Sequence, residues 1–243
     1  MEENIGKLQR MIDESKRIVF FGGAGVSTES GIPDFRSVDG LYHQHYQYPP
    51  EVMLSRSFYE AHTAEFFDFY RAKMLYLDAK PNAAHKKLAE LEEMGKLTAV
   101  VTQNIDGLHQ KAGSKNVFEL HGSVHRNYCQ RCNRLYDAAF MQNSTGVPKC
   151  SCGGTVKPDV VLYEEGLNQH TLSGAVEAIG RADMLIIGGT SLAVYPAASL
   201  IDYYSGNKLV VINRSGTPRD QTADLLINGS IGEALGKIHA SIF

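Results

Sequence analysis

The sequence predicts an α/β chain: a doubly wound parallel sheet carrying a smaller inserted zinc-ribbon and helical lobe. Short apolar and β-branched runs alternate with helical stretches along most of the 243 residues, the order that builds parallel sheets. Polar and glycine residues collect directly after those runs, at Gly23–Gly25, Gln103-Asn104-Asp106, His121, Gly189-Thr190-Ser191 and Asn213. Open α/β sheets bind ligands outside the carboxyl ends of their strands, so five such ends argue against loop accident. The four cysteines fall in one stretch outside the alternation. Without an internal repeat or low-complexity linker, the cysteine-rich and aromatic segments read as insertions into one sheet.

In chain order, Ile5, Leu8 and Ile12 share one face with charges between them, predicting an amphipathic helix. Ile18-Val19-Phe20-Phe21 reads as a buried parallel strand, and Gly22, Gly23 and Gly25 follow at once. Glycines let the backbone turn tightly into a short helix, where free N–H groups favour an anion. The dinucleotide fingerprint is incomplete, because Gly23-x-Gly25 is followed by Thr28 instead of a third glycine. On that pattern alone a nucleotide site and a plain strand–turn–helix corner stand level. The continuation Gly31-Ile32-Pro33-Asp34-Phe35-Arg36 adds a carboxylate, a ring and a guanidinium in consecutive positions, which a structural turn does not need.

Residues 41 to 77 are aromatic and irregular, with helical spacing from Phe58 to Leu77. They predict a helical subdomain with an aromatic core. Asn82 caps a helix that places Ala84, Leu88, Leu91 and Met94 on one face and stops at Gly95. Strand-like runs follow at Leu97–Thr102, Val117–Leu120, Val160–Leu162, Met184–Ile187, Leu209–Ile212 and Leu225–Ile227. Ser230-x-x-Glu233 opens the last helix as a capping box.

Hydrophobic content of 43% and charged content of 21% are those of an ordinary globular protein. A net charge of −3 leaves no electrostatic footprint for nucleic acid, so the expected partner is a small molecule or a protein segment. The first residues lack the basic start and apolar centre of a signal peptide, predicting a cytoplasmic protein. The uncharged run Met184–Ile201 is long enough to raise the membrane question. Gly188-Gly189-Thr190-Ser191 and Pro196 make it a buried strand, a polar loop and a helix start instead, so no membrane association is expected.

Cys129-x-x-Cys132 and Cys150-x-Cys152 are two close thiol pairs on two turns, the pattern of a tetrahedral zinc site. Two disulfides are the alternative, which the lack of an export signal opposes. With four sulfur ligands the metal has no open position, so its expected role is structural. His85 and His109 fall on predicted helices, with buried or capping roles, and His43, His45 and His62 are expected in solvent.

The motifs at 23–36, at 102–109 (Thr-Gln-Asn-Ile-Asp-Gly-Leu-His) and at 120–123 (Leu-His-Gly-Ser) together resemble the sirtuins. The paired cysteines, Gly-Gly-Thr-Ser at 188–191 and Val-Ile-Asn at 211–213 extend the likeness over nearly the whole chain, which is similar to the compact prokaryotic members. The resemblance implies an NAD-dependent protein lysine deacetylase acting on acetylated lysine segments of other proteins. NAD is consumed, and the products are nicotinamide, O-acetyl-ADP-ribose and free lysine. It further implies a Rossmann-like NAD-binding domain of residues 1–40, 81–124 and 158–243, and a small domain made of a helical insertion at 41–80 and a zinc-binding insertion at 125–157. One structural zinc per chain would sit on Cys129, Cys132, Cys150 and Cys152.

By the same resemblance His121 is the general base, a task that suits a neutral imidazole. Asp106 and the Ile105 backbone would hold the nicotinamide carboxamide, Asn104 would orient the ribose, and Gln103 would bond its hydroxyls. Ala24, Ser27 and Thr28 would line the phosphate and ribose pocket beside Asp34, with Arg36 near the phosphates and Phe35 covering the site. Thr190, Ser191, Asn213 and Ile231 would surround the adenosine half. Val160-Val161-Leu162-Tyr163 matches the strand that pairs with the substrate backbone. Two departures stand out. The family often has Phe-Gly-Glu after that strand, where this chain has Leu162-Tyr163-Glu164-Glu165. The Tyr-x-x-Arg of members preferring succinyl or malonyl groups is here Tyr70-x-x-Lys73, and lysine lacks the bidentate fork, so deacetylation is expected first. The competing expectations are ADP-ribosyl transfer to a protein nucleophile, and a non-enzymatic module that binds through its zinc ribbon.

Overall fold

The structure is a computed structural model that describes residues 2–35, 40 and 48–239. Arg36, His43 and His45 lie outside the described residues. Six parallel strands form the main sheet: β1 (Ile18–Gly22), β2 (Leu97–Thr102), β3 (Val117–Glu119), β7 (Met184–Gly188), β8 (Leu209–Asn213) and β9 (Leu225–Asn228). Their order is β3-β2-β1-β7-β8-β9. The direction of winding reverses between β1 and β7, so the switch point lies where Gly22 pairs with Gly188.

Alternate side chains leave the two faces of this sheet. Phe20, Val100, Ile186 and Val210 join one core with Leu8 and Ile12 of α1 (Glu2–Glu14), Leu88 of α5 (Ala83–Glu93) and Leu235 of α9 (Ile231–Gly236). Phe21, Val101, Ile187 and Val211 join the other, with Ile179 of α8 (Gln169–Gly180) and Leu200 of a 3-10 helix at Ala197–Tyr203. The side chains named are at most 2% exposed, and burying one of that size contributes about 1.5–3 kcal/mol. The four central strands β1, β2, β7 and β8 are therefore apolar on both faces, as their sequence indicated.

The second lobe has a three-stranded antiparallel sheet, β5-β4-β6, made of β4 (Gly122–Cys129), β5 (Leu135–Tyr136) and β6 (Val156–Val160). It packs with α2 (Pro50–Met53), α3 (Arg56–Ala61), α4 (Thr63–Lys73) and α7 (Ala138–Asn143) around Phe58, Phe66, Phe67, Tyr70 and Val156. The remaining helix, α6 (Leu108–Ala112), follows β2 in the main lobe.

Three local expectations change. The helical stretch from Phe58 breaks at His62, whose φ of −129° and ψ of 49° are not helical, and ends at Lys73. The short helix after the glycines is a pair of 3-10 turns, Ala24–Val26 and Thr28–Ser30. The strand at Val160–Leu162 starts earlier, ends at Val160 and pairs antiparallel with β4. The last cross-strand bond is Val161 N to His121 O, and beyond it Leu162 N turns to Glu165 and Tyr163 N to Leu54 O. The run Met184–Ile201 is strand β7, a loop and the 3-10 helix, and among the described residues no helix is long and apolar enough to cross a membrane.

Candidate active site

A cleft of about 1020 Å³ opens over the carboxyl ends of β1, β2, β7 and β8 and reaches the second lobe. The floor is set by glycine. Gly25 N donates to Gly189 O at 2.8 Å, and a Cβ on Gly25 would lie 2.8–3.0 Å from Gly189 backbone atoms. Gly189 itself has a φ of 59°, and a Cβ there would stand 2.4 Å from Val26 N. Two backbones cross at a separation that no side chain permits, which packs the first loop against the β7 loop beneath the cleft.

The cleft brings together Ala24, Ser27, Thr28, Asp34 and Phe35 from the first loop, and Gln103, Asn104, Ile105 and Asp106 from the loop after β2. His121 joins them from the turn into β4, with Thr190, Ser191, Asn213 and Ile231 from the later strand ends and Val160–Tyr163 from the second lobe. Of the cleft residues singled out in the sequence, Arg36 alone lies outside the described residues.

Hydrogen bonds order this cluster. Asn104 Nδ2 donates to Ser27 Oγ at 3.1 Å, and Ser27 Oγ donates to Asp106 Oδ2 at 2.6 Å. Asp106 Oδ1 accepts from Leu108 N at 2.9 Å, which starts α6 and fixes the carboxylate. Gln103 Nε2 donates to Thr190 Oγ1 at 3.1 Å, joining the β2 and β7 loops across the switch point. Asn213 Nδ2 donates to Thr190 O and to Ser215 O. Much of the polar equipment is thus positioned by contacts within the chain.

His121 Nδ1 lies 3.0 Å from Gln103 O. A carbonyl oxygen only accepts, so Nδ1 carries the proton and Nε2 is the basic nitrogen. Burial lowers the pKa of His121 from its ordinary value, and the bond to the Gln103 carbonyl opposes that only in part. The ring is therefore neutral and basic near pH 7. Its backbone is tied to the second lobe, since Val161 N donates to His121 O at 3.0 Å.

The cysteines form a separate site. All four Sγ atoms lie within 4.8 Å of one another, with Cys129–Cys152 at 3.4 Å and Cys132–Cys150 at 3.6 Å. A disulfide needs about 2.05 Å. Four sulfurs about 2.3 Å from one tetrahedral centre stand about 3.7 Å apart, so the donor set fits zinc and leaves no open position. Cys129 and Cys150 are also buried in the aromatic core of the second lobe, which places the metal's role in folding.

The cleft contains residues that sequence reasoning passed over. His125 covers Gly107, with its Nε2 3.0 Å from Asp106 O. Val194, Tyr195 and Arg214 form part of the wall near the switch point, and Met74 and Leu77 form part of the wall on the helical side, beside the Lys73 already singled out in Tyr70-x-x-Lys73. Proximity to Ser191 and Asn213 could have suggested Val194 and Arg214, but only folding brings His125, Tyr195, Met74 and Leu77 to the cleft. Tyr70 is fully buried, and its hydroxyl has no hydrogen-bond partner among the described residues.

Comparison with known proteins adds four likenesses. A model of the Sir2 family matches residues 23–196. An NAD-dependent protein deacetylase of Clostridium perfringens is 62% identical over 242 residues, covering 98% of this chain and 99% of the relative. Among solved structures, Sir2 with p53 peptide and NAD+ is 42% identical with a TM-score of 0.84, covering 95% of each chain. A Sir2 variant with deacetylated p53 peptide and 3'-O-acetyl-ADP-ribose is 40% identical with a TM-score of 0.88 and the same coverage.

Proposed function

The chain belongs to the Sir2 family, and from that premise we infer how its cleft carries out the reaction. It is an NAD-dependent protein-lysine deacetylase that moves the acetyl group of acetyl-lysine to ADP-ribose and releases nicotinamide. NAD, when bound, supplies the glycosidic bond whose breaking yields nicotinamide and an ADP-ribosyl acceptor for the acetyl oxygen. Four clustered thiolates suit one structural zinc.

The residues divide the work. Ala24, Ser27, Thr28 and the glycine crossing receive the phosphates and adjoining ribose, where backbone N–H groups favour an anion. Thr190, Ser191, Asn213 and Ile231 surround the adenosine half. Asp106 and Ile105 hold the carboxamide end. The Asp106 carboxylate is already braced by Ser27 and Leu108, so it binds without reorganising. Asn104 and Gln103 orient the reacting ribose. Phe35, beside Asp34 at the mouth, shields it from water, and Arg36 adds charge near the phosphates. His121 Nε2 takes a proton from a ribose hydroxyl. The acetyl-lysine segment lies along Val160–Tyr163, between a Rossmann-like domain of residues 1–40, 81–124 and 158–243 and a small domain of residues 41–80 and 125–157.

The observation that carries this reading is the His121 tautomer, set by the Gln103 carbonyl within a loop that also presents Asn104 and Asp106. The test is stoichiometric. Nicotinamide release should depend on an acetyl-lysine peptide and yield one O-acetyl-ADP-ribose per lysine freed. Label accumulating on protein instead would replace deacetylation with ADP-ribosyl transfer. The ordinary globular composition fits a cytoplasmic location, which fractionation would check.

A further inference from the structure

The loop after β6 carries a strained residue to which the deacetylation chemistry gives no role. Glu164 holds a φ of 75°, in the left-handed region that L residues rarely adopt. It lines the cleft next to Leu162 and Tyr163. Its carboxylate is bound to α3: Ser57 donates from its backbone N to Oε2 at 2.8 Å and from its hydroxyl to Oε1 at 2.9 Å. The neighbouring backbone joins the same segment, with Tyr163 N donating to Leu54 O and Arg56 N donating to Tyr163 O, each at 3.0 Å. Glu165 is held separately, accepting from Leu162 N and pairing with Arg56. The residue that strains the loop is thus also the one that fastens it to the helical segment.

We propose that the Ser57–Glu164 clasp is a positioning device for the acetyl-lysine segment, with Glu164 a positioning residue that keeps the 161–165 loop in its binding shape before the substrate arrives. This rests on the deacetylase reading. A loop ordered in advance loses less freedom when a peptide docks. Because the clasp compensates a left-handed backbone, removing the carboxylate has two different outcomes. Alanine retains the steric conflict and lacks the clasp, so the loop relaxes away from its φ of 75°. Glycine also lacks the clasp, but it adopts positive φ without penalty.

The test compares wild type, Glu164→Ala and Glu164→Gly with an acetyl-lysine peptide at saturating NAD, then with NAD varied at saturating peptide. Glu164→Ala should raise the peptide KM roughly fivefold or more, the population cost of a left-handed L residue. Glu164→Gly, which loses the clasp but accepts the positive φ, should raise it by a smaller factor, with kcat and the NAD KM within about twofold of wild type in both. A Glu164→Gly enzyme with the wild-type peptide KM would show that the clasp does not position the loop and would overturn the proposal. No rise in either, or a matching rise in the NAD KM, would overturn it too. Hydrogen exchange of residues 161–165 without substrate supplies an independent readout: faster exchange than in wild type is expected in both variants, and wild-type rates in both would sink the clasp. A wild-type enzyme that releases no nicotinamide with acetyl peptide would count against the deacetylase reading, leaving the exchange experiment to decide the clasp.

Discussion

At the scale of the residue, His121 shows how one hydrogen bond selects a chemical role. The Gln103 carbonyl fixes the tautomer, and burial keeps the ring uncharged. His121→Tyr should lower turnover roughly a hundredfold to ten-thousandfold, the range a general base supplies, while NAD binding measured by calorimetry is retained. Near wild-type rates would remove His121 from the mechanism. The pH dependence has a definite sign. A base with a lowered pKa is in its working form at and above 6.5, so kcat/KM should stay level there and fall only as pH drops through the lowered value. An acid limb centred above 6.5 would contradict that assignment.

At the scale of the element, the zinc ribbon holds together a lobe whose sheet has only three strands. Cys129 and Cys150 are buried among the aromatic side chains of α3 and α4. Leaving one buried thiol unligated would therefore loosen that core before it disturbed the cleft. Elemental analysis should find one zinc per chain. Cys129→Ala or a strong chelator should lower the unfolding midpoint by several degrees, with activity lost in step with unfolding. Activity lost while the midpoint holds would give the metal a role beyond structure.

At the scale of the whole molecule, two buried histidines tie stability to pH. His85 reciprocates the Asn82 cap of α5, and its ring meets that of His109 edge-on, with centroids 4.7 Å apart. Burial, the largest cause for both, pushes His85 down to about 4 and His109 down to about 3. Nearby Asp106 and Glu29 partly offset it at His85, whereas His85 adds to it at His109. The unfolded chain takes up protons near pH 6.5 and the folded chain does not, so stability is complete above 6.5 and falls below it. The loss is at most about 1.4 kcal/mol per pH unit per histidine, down to about pH 4 for His85 and about pH 3 for His109. Denaturant unfolding of His109→Phe between pH 6 and 4 should show a slope shallower by about that amount. An unchanged slope would mean that other groups set the acid limit.

What the sequence determined by itself was whatever depends on local pattern. The strands at Ile18, Leu97, Met184 and Leu209 were legible because residues buried on both faces of a parallel sheet leave uninterrupted apolar runs. The Asn82 cap and the Cys-x-x-Cys spacing were legible because each is a short-range geometry. The cleft's membership was legible through the resemblance, since those residues sit in contiguous motifs at strand ends. Tertiary structure decided what depends on approach between distant segments. The Gly25–Gly189 crossing joins loops far apart in the chain, and no pattern around either glycine announces the other. The end of the β6 pairing was set by Glu165 and Leu54, which take the Leu162 and Tyr163 backbone donors after Val161 has bonded to His121 O. The His121 tautomer was set by a carbonyl from another loop. In the sequence Glu164 stood out only within a departure from the family's Phe-Gly-Glu; folding gave it positive φ and brought Ser57 within reach. Backbone donors and ring nitrogens are satisfied by whichever acceptor folding brings near, and only the assembled chain supplies that distance.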